Sequence, residues 1–174
     1  MNTAHGKIHG PFFMPIATKA AVKNISVDEL TELGCEIILS NTYHLLLRPG
    51  MKFMKKYGGL HQFMNWKGPI LTDSGGYQVF SLAGFRKISK NGAEFIDPQN
   101  GNKYLLTPES VIKIQNNIGS DIIMTFDECP SYPCSEEYAI ESCDRTLRWA
   151  KRCKKELEKL RRKNNIAKKQ ILFA

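Results

Sequence analysis

Thr72-Asp73-Ser74-Gly75-Gly76-Tyr77-Gln78 is the segment whose residue types stand closest to chemistry. An acid and a hydroxyl end an apolar run and two glycines follow, a turn that lets backbone N–H groups approach a ligand closely. A carboxylate only accepts hydrogen bonds and takes two in parallel, which suits the ring N–H and exocyclic amine on the pairing edge of guanine. Asp73 and Asp127 are both candidates for that contact. Tyr77 would then stack on the flat base, as aromatic side chains do when a nucleotide leaves its stack. Core packing is the competing reading of Tyr77, and spacing alone leans toward it.

Several decoys drop out. The string Asp73-Ser74-Gly75-Gly76 also surrounds the nucleophile of trypsin-like proteases. Those are disulfide-bonded β-barrels with a His-containing motif upstream, which this chain lacks. It also has no G-x-S-x-G elbow, no G-x-x-x-x-G-K-[ST] phosphate loop and no H-E-x-x-H zinc helix. Cys129 and Cys134 flank a Pro-rich loop without further Cys or His beside them, so they fall short of a zinc site. They read as structural or pocket-lining thiols.

The elements that must position these residues show a repeated grammar. Ser26 with Glu29 forms a capping box, a short helix follows, Gly34 ends it, and CEIILSN runs on as a strand. The second copy begins at Thr107, with Pro108 at the first helical position, Val111, Ile112 and Ile114 on the helix, Gly119 at its end and SDIIMTFD as the strand. PILTD supplies a third strand and QILFA a fourth. Short apolar runs separated by helices predict parallel strands buried on both faces, an α/β fold. Asn41, Asp73 and Asp127 each follow such a run, and the carboxyl ends of parallel strands are where α/β folds place ligands. For any one of them a capping or turn role is the competing reading, whereas three together favour a shared site.

The chain has 174 residues, 42% hydrophobic and 24% charged, the proportions of a globular protein. One domain is expected, over residues 1–174. Five cysteines without a CxxC pair and no charged-then-apolar leader predict a reducing, cytoplasmic setting. No window reaches the roughly 18 apolar residues needed to cross a bilayer. The net charge of +8 is local: residues Arg145 to Lys169 hold 12 of the 25 Lys and Arg, against Glu156 and Glu158 alone. In this segment Ile140, Cys143, Leu147, Ala150, Cys153, Leu157 and Leu160 recur at steps of three and four, predicting a helix with one buried stripe and a basic outer face. That face is either a polyanion-binding surface, such as one for RNA phosphate, or a solvated helix side.

PFFMPIATKAAVK, IILSNTYHLLLRPG, LHQFMNWKGPILTDSGGYQVFSL, LLTPES, GSDIIMTFDECPSYP and TLRWAKRC follow one another along nearly the whole chain. In this order they resemble the tRNA-guanine transglycosylases, also called queuine tRNA-ribosyltransferases, in their amino-terminal half. The resemblance implies a (β/α)8 barrel, of which 174 residues accommodate roughly the first half, since a complete one takes about 250. It implies exchange of guanine at the anticodon wobble position of tRNA for a 7-deazaguanine, through a covalent ribosyl-enzyme intermediate. Asp73 would be the general acid/base; Asp73, Ser74, Gly75, Gly76, Tyr77 and Asp127 would form the base pocket; and Asn41 would lie near the target ribose. Cys129 after Asp127-Glu128 is similar to the bacterial pocket, which implies 7-aminomethyl-7-deazaguanine as the incoming base. A homodimer and a structural zinc are also implied. The family's nucleophilic Asp, the Gln and Gly that complete its pocket and its Cys/His zinc cluster are expected beyond Ala174, so no metal ligand is assigned here. KAAVK around Lys19 and FIDPQNGNKYLL around Phe95 depart from the family pattern. A noncatalytic tRNA- or base-binding remnant is the competing expectation.

Overall fold

The computed structural model describes residues 1–82 and 86–174. A small hairpin, β1 (Asn2–Thr3) against β2 (Gly6–Lys7), opens the chain. It is followed by α1 (Val27–Glu32), β3 (Ile38–Ser40), α2 (Thr42–Leu47), α3 (Met51–Tyr57) and α4 (Leu60–Met64). β4 (Ile70–Thr72) and α5 (Gly76–Leu82) enclose the Asp-Ser-Gly-Gly turn. Then come β5 (Arg86–Ser89), β6 (Gly92–Ile96), β7 (Lys103–Leu106), α6 (Pro108–Ile118), β8 (Ile122–Met124), the long α7 (Glu136–Arg161), α8 (Asn165–Lys169) and β9 (Ile171–Phe173).

The scaffold is a four-stranded parallel sheet in the order β3-β4-β8-β9. Ile38, Ile70 and Ile123 are fully buried in the main core, while Ile37 and Ile122 pack with Ile8 in a smaller cluster. Both halves of the repeated grammar form as expected. Ser26 and Glu29 close the first capping box, and Thr107 closes the second with Ser110. The strands are shorter than the apolar runs that announced them, because the ladder holds only where neighbours overlap: Ile38 to Ser40 lie opposite Ile70 to Thr72. The sheet is open. Among the described residues the outer edge of β3 has one isolated bridge, Leu39 to Ile16, and β9 ends the other side.

Two features depart from expectation. β5, β6 and β7 form a separate antiparallel sheet within the stretch that fits the family pattern loosely. β6 buries Ala93 and Phe95 and exposes Glu94 between them, the alternation of a half-solvated strand rather than a buried parallel one. Phe95 sits between Tyr43 and Tyr104, at 5.3 and 5.4 Å.

The buried face of α7 is also rotated from the expected stripe. Ile140 and Leu147 are 59% and 55% exposed and Cys143 faces solvent, whereas Ser142, Arg145, Trp149, Cys153, Glu156 and Leu157 are buried. Larger interactions set that rotation. Trp149 stacks on Phe126 with ring centroids 4.7 Å apart, and Arg145 forms an ion pair with the fully buried carboxylate of Glu128. Several of the basic residues are therefore not free: Arg145 is occupied by Glu128, Arg152 grips Glu109 with two hydrogen bonds of 2.8 and 2.7 Å, Arg161 donates to Gln170 O at 2.8 Å, and Lys159 lies 3.8 Å from Glu156. Arg148, Lys151, Lys154, Lys155 and Lys159 remain on the exposed side.

Polar side chains of α6 reach into the sheet. Gln115, fully buried, donates to Met124 O (2.8 Å) and accepts from Met124 N (2.9 Å) and Thr72 Oγ1 (3.0 Å). Asn116 donates to Gln170 Oε1 at 2.9 Å, and Gln170 Nε2 donates to Ser120 O at 2.8 Å. No helix among the described residues is long and apolar enough to cross a membrane.

Candidate active site

Because β3, β4 and β8 are parallel, their carboxyl ends emerge together, and Asn41, Asp73 and Asp127 follow them at one edge of the sheet. The backbone N–H of Asp73 continues the ladder to Ser40 O at 3.2 Å, which fixes where its side chain starts. One carboxylate oxygen accepts from the Thr42 N–H (2.8 Å), and the other from Asn41 Nδ2 (2.5 Å) and Gln78 Nε2 (3.0 Å). The Thr42 hydroxyl donates to Asp73 O at 2.6 Å. Asn41 occupies the cap position of α2, yet its side chain makes no capping bond. Its amide is committed to Asp73 instead, which sets aside the simple capping reading.

Burial pushes the Asp73 carboxyl above its ordinary value and outweighs the bonds from Asn41, Thr42, Gln78 and Gly75 that would lower it. An acid held this way keeps its proton to higher pH than a free one, as suits a group that gives and takes protons.

Ser74 links the two acids' loops. Its hydroxyl donates to Asp127 Oδ1 at 2.6 Å and accepts from the Gly76 N–H at 3.0 Å. Gly75 adopts φ +80°, the left-handed region, with Tyr43 N only 3.2 Å from where a Cβ would stand. At Gly76 a Cβ would lie 2.6 Å from both Asp127 O and Asp127 Oδ1. Gly76→Ala should therefore push Asp127 off Ser74 and cost about 1–3 kcal/mol, the usual penalty of overpacking. Chemical denaturation reads this, and an unchanged midpoint and slope would mean that the contact is not tight.

These groups border a cavity of about 400 Å³ lined by Asp73, Ser74, Tyr77, Gln78 and Asp127, with Leu147 and Ala150 of α7 on its apolar side. Tyr77 is 63% exposed, so the core-packing reading fails and its ring is free to meet a ligand. Cys129 lies in a smaller neighbouring cavity with Tyr77, Phe80 and Pro130, and the Asn41 side chain sits behind Asp73 rather than on the cavity wall. Thr42 and Gln78 were not singled out from sequence. Gln78 stands five residues after Asp73, a spacing that only a helix starting at Gly76 converts into a contact.

Two carboxylates at the carboxyl edge of a parallel sheet, linked through Ser74 and bordering one cavity with an exposed ring, define an α/β protein with a candidate ligand site beyond its strand ends. The model of the queuine tRNA-ribosyltransferase family matches residues 1–174, and the chain belongs to that family. It is 58% identical over 154 residues to a queuine tRNA-ribosyltransferase of Lysinibacillus sphaericus, covering 88% of this chain and 40% of that one. It is 53% identical to one of Desulforamulus reducens (89% and 42%) and 56% identical to one of Staphylococcus aureus (88% and 40%). The chain thus spans about two fifths of the length of these relatives. Among the described residues the cluster close enough to share an ion is His5, His61 and Asp121, which differs from the Cys/His set implied by the resemblance in having no cysteine.

Proposed function

We propose that residues 1–174 form the base-binding part of a tRNA-guanine transglycosylase, a pentosyltransferase that replaces guanine at the anticodon wobble position with a 7-deazaguanine. The observation that carries this reading is the pairing of Asp73 and Asp127 on one cavity beneath the exposed ring of Tyr77. Asp127, steadied by Ser74, accepts from the N–H and amine of the base. Tyr77 stacks on its face. Asp73 assists proton transfer at the base while Asn41, bonded to it, sets its position beside the ribose. The exchange is a double displacement at the anomeric carbon. An Asp nucleophile outside residues 1–174 breaks the bond to guanine and forms one to ribose, and the incoming base then displaces the enzyme carboxylate.

In this reading the four parallel strands are the first half of a (β/α)8 barrel and residues 1–174 are a single, incomplete domain. The family's zinc is held by residues other than these. The whole enzyme works in the cytoplasm as a homodimer on the tRNA anticodon loop. The exposed lysines of α7 meet tRNA phosphate. Cys129, beside Tyr77, fits the bacterial choice of 7-aminomethyl-7-deazaguanine.

Incorporation of labelled guanine into tRNA by the protein as its source produces it tests the reading. Incorporation at the wobble position is expected; base binding without incorporation would make it a noncatalytic remnant. Tyr77→Ala should weaken guanine binding about 5- to 150-fold, the equivalent of losing roughly 1–3 kcal/mol of stacking, while Tyr77→Phe keeps most of it. Calorimetric titration with guanine measures both, and equal affinities for the two variants would remove the stacking role.

A further inference from the structure

At the opposite end of the parallel sheet lies a second cluster of chemistry-bearing groups. Asp121 precedes β8, and its carboxylate is fully buried. One oxygen accepts from Ile70 N at 3.0 Å and the other from His5 N at 3.2 Å, so each oxygen has a backbone donor. Two imidazoles converge on the same group. His5 Nδ1 is 2.8 Å from Oδ1, His61 Nε2 is 3.3 Å from Oδ2, and the rings stack with centroids 3.6 Å apart.

We propose that His5, His61 and Asp121 form a binding site for one divalent transition-metal ion of the zinc, cobalt or nickel kind. The three ligand atoms, two imidazole nitrogens and a carboxylate oxygen, lie within 4.8 Å of one another. That spread closes around an ion with bonds of about 2.0–2.2 Å after small side-chain movements. The donor set decides the class of ion: imidazole nitrogen selects against magnesium and calcium, which take oxygen. The backbone bonds to Asp121 supply the outer support that metal-binding carboxylates require.

An entry path exists. A cavity of about 300 Å³ opens beside the cluster, and exposure falls from 39% for the His5 side chain to 13% for His61 and none for Asp121. A fourth ligand such as water could reach the ion from this cavity. Lys169, the other charged residue on its wall, is exposed to solvent. His61 Nε2 also lies 3.1 Å from Gly68 O. On binding, each neutral imidazole shifts its single proton to the other ring nitrogen, and a protonated ring would release one to solvent. The bound ion would tie together the β1–β2 turn, α4 and the start of β8, segments up to 116 residues apart in the chain. This site is separate from the Cys/His zinc cluster of the family, since it uses no sulfur.

The test is equilibrium dialysis of the protein, as its source produces it, against Co²⁺, with absorption spectra of the bound ion. His5→Gln is the main variant, because it keeps a hydrogen-bonding side chain on a surface hairpin and removes one ligand. We expect the parent to take up one more Co²⁺ than His5→Gln, with visible bands of nitrogen and oxygen ligation. The variant's affinity at this site should fall roughly 100-fold or more, given that even outer-shell changes cost about 10–100-fold. His9→Ala, at an exposed pair with Glu36, should bind as the parent does. Equal uptake by parent and His5→Gln, or extra Co²⁺ bound with sulfur-to-metal charge-transfer bands, would overturn the proposal.

Discussion

Asp73→Asn in the complete enzyme should lower guanine exchange by about two to four orders of magnitude, the usual contribution of a positioned general acid/base. The substitution keeps the shape of the side chain and an acceptor for Asn41 and Gln78 and loses the bond from the Thr42 N–H, so the fold should survive it at a cost of about 1–3 kcal/mol. A second readout separates chemistry from damage. Burial raises the folded-state pKa of Asp73 above its unfolded value. Between the two values the native chain binds more protons than the unfolded chain, so this group makes stability fall as pH rises through the carboxylate range and leaves it lower above. In Asp73→Asn that component vanishes. Denaturation midpoints from acid to neutral pH, compared between parent and variant, should show the parent losing relative stability as pH rises. Undiminished exchange would remove Asp73 from the chemistry, and identical pH profiles would mean that its carboxyl is not held high.

Arg145→Ala should have the largest effect on stability, about 3–5 kcal/mol. Glu128 is fully buried, and its partners are the guanidinium of Arg145 and the hydroxyl of Tyr138 at 2.5 Å. Removing the cation leaves a buried charge with one neutral donor, which costs far more than the intact pair contributes. The opposite truncation is milder, because Arg145 also reaches Glu141 at 2.5 Å, a residue in contact with water. Replacing both ends, as in Arg145→Met with Glu128→Leu, should recover much of the loss, since a buried pair and an apolar pair of similar volume are often equivalent. Urea denaturation of the three variants decides this. A loss below about 1 kcal/mol for Arg145→Ala would mean that water reaches Glu128.

The parallel strands and their order of signals were legible because each carries a local mark: a capping residue, an apolar run and a polar terminus. Asn41, Asp73 and Asp127 were legible for the same reason. The antiparallel β5-β6-β7 sheet carries marks of a different kind, the Asn91-Gly92 and Asn100-Gly101 turns and the alternation about Ala93 and Phe95, which a search for continuous apolar runs passes over. The face of α7 was misplaced because period alone cannot weigh Trp149 and Arg145 against Leu147 and Ile140. Which of these is buried depends on Phe126 and Glu128, which precede the helix by about ten residues and meet it only in the fold. The bonds from Thr42 and Gln78 to Asp73 likewise exist only once two strands and two helices are assembled.

Strands of three residues joined by long crossovers have no tight turn to set their alignment. Here the amides of α6 set it. Gln115 gives to and takes from the backbone of Met124 while holding Thr72, and Asn116 reaches β9 through Gln170. Sliding β8 by a single residue would strand these buried amides at about 1–3 kcal/mol each and turn alternate side chains to the opposite face. Asp127 would then no longer meet Ser74, so the amides that fix alignment also fix the spacing between the two acids.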